Sequence, residues 1–256
     1  MNQLWIFPIV LVVILVGTMF ALWMVMYAKV VQDTAKLTTG ISMSAMRGRI
    51  RENNCKPNQK CLLVTGDSLA AGVGSKGGES VSHWLRKMLP TVNVDTEAQP
   101  GYRVLDVYEQ LLTNQNRYDA IVVFAGSNDR VFFDKTPLQQ FQQDLIRLYE
   151  RCCDMLKPQG RVYVMNVCDP LRIPIMSLST TPEHTIAVIN QLEKTINDTT
   201  LIVCKNKDCQ VSSVSLRNVI TRPSYFAMDG VHMSGLGYQA IASYLFETHL
   251  KRDGIS

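Results

Sequence analysis

The first 28 of the 256 residues contain no Asp, Glu, Lys, Arg or His. Every face of such a stretch is apolar over the whole span, which speaks against a buried core helix. The rest of the chain lacks a charge excess. Residues 1–58 carry six Lys/Arg and two acids, whereas the other 198 residues carry 20 of each sign. A neutral body speaks against a nucleic-acid partner, whose binding surface is built on clustered Lys and Arg. There is no C-x-x-C, and none of the four histidines lies at zinc-finger spacing from cysteines, so no structural metal is expected. No internal repeat or low-complexity tract is present. With 46% apolar and 19% charged residues, the chain is not a disordered tail, and its length suits one or two domains.

What the N-terminus does contain is a 24-residue apolar run, Trp5 to Ala28. As a helix it would extend about 36 Å, enough to cross the ~30 Å hydrocarbon core of a bilayer with some tilt. Trp5, Trp23 and Tyr27 stand near its ends, where interfacial aromatics concentrate. A cleaved leader would show a basic n-region and an A-x-A site, and neither is clear here. Residues 1–28 are therefore read as a transmembrane anchor, 29–58 as a basic linker and 59–256 as the globular domain. Lys29, Lys36, Arg47, Arg49 and Arg51 follow the span, and the positive-inside rule places the body in the cytoplasm. The run Met46–Arg51 reads as a solvated linker face. Of the seven cysteines, Cys55/Cys61 and Cys204/Cys209 are close enough in sequence to close small disulfide loops in an oxidising compartment.

From residue 59 onward, short Val/Ile/Leu runs alternate with helical patterns. Expected strands are Cys61–Thr65, Val92–Thr96, Ala120–Ala125, Arg161–Val167 and Thr200–Cys204. Expected helices are Ser80–Met88, Arg103–Thr113, Leu138–Leu156, Pro182–Asn197 and Gly237–Leu250. Strand–helix alternation implies a parallel sheet covered on both faces, with the active site beyond the carboxyl ends of the strands.

Three of those ends carry unusual residues. The first strand runs into Gly66-Asp67-Ser68, which presents a hydroxyl at a turn. The second leads to Gln99-Pro100-Gly101-Tyr102, where a glycine offers an unhindered N–H. The third ends in Gly126-Ser127-Asn128-Asp129, whose Asn128 amide can reach the same crevice. Asp229-Gly-Val-His232 precedes the last helix. Its spacing lets the carboxylate hold one ring nitrogen while the other takes a proton, a base and its orienter awaiting a nucleophile. Each of these segments is also an ordinary turn when taken alone.

In this order, Gly66-Asp67-Ser68-Leu-Ala-Ala-Gly72-Val-Gly74, Gly101, Gly126-Ser127-Asn128-Asp129 and Asp229-Gly-Val-His232 resemble the blocks of the SGNH (GDSL) hydrolases over residues ~60–250. The resemblance implies a three-layer α/β/α, flavodoxin-like fold on a five-stranded parallel sheet, and serine esterase chemistry without a metal or organic cofactor. It implies Ser68 as nucleophile, His232 as general base and Asp229 as its orienter. Ser68 N–H, Gly101 N–H and the Asn128 side chain would form the oxyanion hole. Met233-Ser234 stands where many members carry Pro-Asn, and Gln99-Pro100 bears on the substrate rim. The N-terminal anchor in turn suggests a substrate in or near a membrane: a phospholipid or lysolipid, an acyl thioester, or an acetylated envelope glycan. Many relatives act outside the cytoplasm, against the vote of the flanking charges. Residues 170–181 offer several apolar positions for an acyl pocket wall or a packed surface loop.

Two alternatives keep the same fold: an O-acyltransferase, and a non-catalytic module that binds a glycan or protein. A third reading rests on Gly72-Val-Gly74-Ser-Lys-Gly77, which fits G-x-G-x-x-G with Asp95 about 20 residues on. In a dinucleotide fold, however, the first glycine follows the strand directly, whereas here Gly66–Ala71 intervenes.

Overall fold

A computed structural model of the chain describes residues 49–56, 58–131, 136–166 and 182–255, together with Thr18, Trp23 and Met24. The expected anchor over 1–28 and the apolar stretch 170–181 lie outside the described residues, apart from those three positions. Among the described residues, no helix is long and apolar enough to cross a membrane.

The sheet has six strands: β1 Ile50–Glu52, β2 Lys60–Gly66, β3 Val92–Ala98, β4 Tyr118–Phe124, β5 Leu156–Met165 and β6 Gln210–Val214. Their order is β1-β3-β2-β4-β5-β6, and β2 to β6 run parallel. The expected five-stranded parallel sheet is thus a six-stranded mixed one. The added strand, β1, pairs antiparallel with β3 through Ile50↔Ala98, Arg51↔Glu97 and Glu52↔Thr96. It lies inside the stretch expected to be linker. Arg49 and Arg51, expected to be solvated, ion-pair with the buried Glu97 at 3.2 and 3.6 Å. Three residues with no apolar alternation gave no strand signal, and pairing with the free edge of β3 supplied what the local sequence did not.

Among the described residues, five α-helices cover the sheet: α1 Val81–Met88, α2 Val104–Leu112, α3 Leu138–Asp154, α4 Pro182–Lys207 and α5 Gly235–Leu245. Alternate residues of β2 feed opposite faces, as period-two side-chain geometry demands. Leu62 and Val64 pack with Val81 and Leu85 of α1 and with Tyr238, Ile241 and Leu245 of α5. Cys61 and Leu63 pack with Val107, Leu145 and Ile196 of α2, α3 and α4. Each fully buried aliphatic contributes about 1.5–3 kcal/mol through removal from water. In α3 the buried Phe141, Leu145, Leu148 and Cys152 recur at helical spacing along one stripe.

Thr200–Cys204, expected to be a strand, belongs to α4. A β-branched run reads as strand, but the α4 threonines return their hydroxyls to the helix. Thr195 donates to Gln191 O at 2.8 Å, Thr199 to Thr195 O at 2.7 Å and Thr200 to Asn197 O at 2.7 Å. Ile196 and Val203 then face the sheet. The strand lies later, at β6. The last helix begins at Gly235, earlier than expected, because Ser234 caps it by accepting the Gly237 N–H at 3.3 Å. It closes with a π-helical turn over Phe246–Leu250.

Cys209 is disulfide-bonded to Cys153, not to Cys204. Cys204 sits one helical turn before the end of α4, where its sulfur accepts the Val211 N–H at 3.3 Å. The bond ties the end of α3 to the approach of β6 across 56 residues. Loops of that length restrict the unfolded chain strongly, so a Cys153→Ser, Cys209→Ser protein should lose about 2–4 kcal/mol of unfolding free energy, measured by urea titration with unreduced wild type alongside.

Candidate active site

β2 lies between β3 and β4, where the strand order reverses, and the carboxyl ends there frame a crevice. Gly66, the last residue of β2, has φ +141°, and a Cβ built on it would stand 1.9 Å from Phe124 O. Only glycine permits this approach. The next residue is pinned to the same carbonyl: Asp67 N–H donates to Phe124 O at 3.0 Å. The chain then curls, with Ala71 N–H on Asp67 O and Val73 N–H on Ser68 O, both at 3.0 Å. Ser68 thus leaves the sheet on a turn, with its side chain half-buried at the crevice.

The base loop is folded with equal economy. An isolated bridge joins Phe226 to Met233, and Ala227 N–H donates to His232 O at 2.8 Å. Inside that hairpin Asp229, 2% exposed, accepts three N–H groups on two oxygens. Oδ1 takes Val231 N–H at 3.0 Å and His232 N–H at 2.9 Å, while Oδ2 faces His232 Nδ1 at 2.7 Å. His232 Nε2 lies 2.9 Å from Ser68 Oγ. The Ser68 hydroxyl, the His232 imidazole and the Asp229 carboxylate form one continuous hydrogen-bonded row. Gly74 closes the row from behind: a Cβ there would come within 2.8 Å of the Cβ atoms of His232 and Ala227.

Gly101 and Asn128 occupy the two adjoining strand ends. Gly101 is exposed at φ +82°, with open space where a Cβ would point. Asn128, 7% exposed, lies in a π-helical turn over Ser127–Val131 and donates through Nδ2 to Tyr102 O at 2.8 Å. That bond joins the Asn128 turn to the Gly101 loop and leaves the second amide hydrogen for another acceptor. Asp129 makes a second tie, its Oδ2 accepting Val104 N–H at 3.0 Å at the start of α2. Asp129 stood in the sequence as an unassigned neighbour of Asn128, and Gly74 only as part of a glycine fingerprint; neither carried a signal for these contacts beyond proximity to Asn128 and Ser68.

Three buried carboxyls meet different fates. Burial pushes Asp229 up, but the hydrogen bonds and charge of His232 outweigh it, and the group is held below the usual carboxylate range. Burial raises Asp67 to about 7 against the opposing Leu69 N–H and His232. It raises Asp129 to about 6 against Val104 N–H and Arg103.

The dinucleotide alternative fails on geometry. Asp95 is not at a strand end but inside β3, where it accepts the N–H groups of Asn54 and Cys55 and the Tyr118 hydroxyl. Gly72–Gly77 forms the turn behind the Ser68–His232 pair, followed by a 3₁₀ turn at Lys76–Gly78. Among the described residues, no group of three or more His, Cys, Asp or Glu is arranged to hold a metal ion.

Residues 64–240 match the GDSL-like lipase/acylhydrolase family. No curated protein matches the chain. Solved structures with a similar fold include the family 3 carbohydrate esterase of Clostridium thermocellum, 20% identical with a TM-score of 0.55, covering 77% of this chain and 99% of that one. The lipase/acylhydrolase of Enterococcus faecalis is 18% identical with a TM-score of 0.56, covering 75% and 96%. The psychrotrophic esterase EstA of Pseudoalteromonas sp. is 14% identical with a TM-score of 0.55, covering 75% and 97%. At these identities the likeness is one of fold.

The raised Asp67 carboxyl has a measurable consequence for stability. Below about pH 4 it is protonated in both folded and unfolded chains. Between about 4 and 7 the unfolded chain has released the proton and the folded one keeps it, so stability falls as pH rises; above about 7 the penalty is complete. Asp67→Asn retains an acceptor for Leu69 N–H and removes the titration. Its unfolding free energy relative to wild type should climb from pH 4 to pH 8 in denaturant titrations, and a constant difference would show that Asp67 does not titrate in this window.

Proposed function

The chain belongs to the GDSL-like lipase/acylhydrolase family and is a carboxylic ester hydrolase; on that footing we propose that it works through an acyl-enzyme on Ser68, acting on a lipid or an acylated envelope glycan. The observation that carries this reading is the unbroken row Ser68 Oγ–His232–Asp229, with steps of 2.9 and 2.7 Å.

In this reading the Ser68 hydroxyl attacks the ester carbonyl while its proton passes to His232 Nε2. Asp229, ionised and locked by three N–H groups, keeps Nδ1 protonated and stabilises the imidazolium. The oxyanion is received by the Ser68 and Gly101 N–H groups and the free hydrogen of Asn128 Nδ2. Collapse expels the alcohol, which takes the proton from His232. Water then repeats the sequence on the acyl-enzyme, returning the carboxylic acid and the free Ser68. In an acyltransferase a sugar hydroxyl would take the place of that water.

The substrate assignment draws on the uncharged run Trp5–Ala28, which would hold the domain beside a membrane. An extracytoplasmic side is supported by the Cys153–Cys209 disulfide, since such bonds persist in oxidising compartments. This weighs against the flanking lysines and arginines.

Ser68→Ala should abolish p-nitrophenyl ester hydrolysis while leaving circular dichroism unchanged. Asn128→Ala should fold and lose about 10²–10³ in kcat, the usual effect of one oxyanion donor. A fluorophosphonate probe should label wild type at Ser68, and an unlabelled Ser68 would point to a binding module. An acyl-chain series on the full chain in detergent separates the substrates, with acetyl preference marking glycans and long-chain preference lipids. Product analysis with added sugar acceptors separates hydrolysis from transfer.

A further inference from the structure

Far from Ser68, at the opposite end of β2, two thiols converge that the ester chemistry does not use. Cys61 is the second residue of β2 and pairs in register with Asn93 of β3. Cys55 follows β1, and its Sγ lies 3.8 Å from Asn93 O. Cys55 packs against the apolar cluster that contains Cys61, and both carry free thiols. The backbone holds Cys55 there independently of any sulfur contact. Its N–H donates to Asp95 Oδ1 at 3.0 Å, beside the N–H of Asn54, and Asn54 Nδ2 donates to Val94 O at 3.1 Å.

We propose that Cys55 and Cys61 are oxidised to a second intrachain disulfide, which staples β1 and its approach to the central strand. Two thiols lose two protons and two electrons as the sulfur–sulfur bond forms. The electrons pass to a disulfide, either oxidised glutathione or an oxidised dithiol catalyst, which is released as two thiols. Burial, with the neighbouring Cys61 and Asp95, pushes the Cys55 thiol up. Thiolate is then scarce at neutral pH, so the bond forms slowly without such a carrier. The other described thiols do not compete: Cys152 is fully buried, and Cys204 is held at the Val211 backbone.

The consequence is mechanical. β1 pairs with β3 at only three positions; Ile50 packs on the core, Glu52 ion-pairs with Arg86, and the flanking residues hold to Asp95 and Glu97 through polar contacts. Ion pairs of partly exposed arginines weaken with salt. A covalent closure between residues 55 and 61 keeps the edge of β3 covered regardless of ionic strength.

The test uses the full chain in detergent, equilibrated with reduced and oxidised glutathione, alkylated under denaturing conditions and digested with trypsin. Trypsin cuts after Arg51, Lys60 and Lys76 and spares the Lys56–Pro57 bond. Peptides 52–60 and 61–76 should be joined until reduction, in the same samples that join Cys153 to Cys209. Alkylation of both Cys55 and Cys61 while Cys153–Cys209 is fully linked would overturn the proposal, as would linkage of either to a different cysteine. Native-state trypsin cleavage at Arg49 and Arg51 should be about tenfold faster, or more, in Cys55→Ser than in oxidised wild type. Equal rates would refute the stapling. Ester hydrolysis by Cys55→Ser should match wild type, because the site lies beyond the other end of β2.

Discussion

The carbonyl of Phe124 occupies the place a side chain at residue 66 would need, and the rest of the crevice follows from that contact. Because β2 can end only in glycine here, the backbone of Asp67 reaches Phe124 O and is pinned to the neighbouring strand. The turn that follows takes its first bonds from the same residues, so Ser68 has little freedom in where its hydroxyl lies. Gly74 then passes against the Cβ of His232 with no room to spare. The 2.9 Å separation of Ser68 and His232 is therefore set by backbone packing at two glycines, with both side chains on preformed supports. Preorganisation of this kind spares the reaction the cost of assembling its groups.

The carboxyls around the crevice are tuned apart by their surroundings. Asp229 receives three N–H groups and stays ionised beside the His232 ring. Asp67 and Asp129 are buried with fewer donors and are pushed up to about 7 and 6. Asp129 couples the site in another way, because its bond to Val104 and the Asn128 bond to Tyr102 clamp the β4 turn onto the loop that carries Gly101.

Local pattern was enough to reveal most of the scaffold. Buried parallel strands are rich in continuous Val/Ile/Leu runs, and β2 and β4 stood out for that reason, whereas β3 shows only Val92 and Val94 before its buried polar residues Asp95, Thr96 and Glu97. Pattern failed where tertiary partners decide. The run at Thr200–Cys204 has strand composition, yet its threonines return their hydroxyls to helical carbonyls. β1 has no alternation and exists because β3 had a free edge. The partner of Cys209 lies 56 residues away, beyond any spacing argument. Asp95, which seemed to complete a nucleotide fingerprint, is consumed by the backbone of residues 54 and 55 and by Tyr118.

By itself the sequence determined which chemistry-bearing residues stand at turns: a serine after Gly-Asp, a lone glycine, an asparagine, and a histidine three residues past an aspartate. Those assignments rest on short-range rules of turns and periodicity, which act within a few residues. The tertiary structure decided that Ser68 and His232, 164 residues apart, share a hydrogen bond. It also decided that Asp95 is structural and that burial raises the Asp67 carboxyl above the usual carboxylate range. Contact across the sheet, burial and pKa depend on what packs against a residue, and that is a property of the fold.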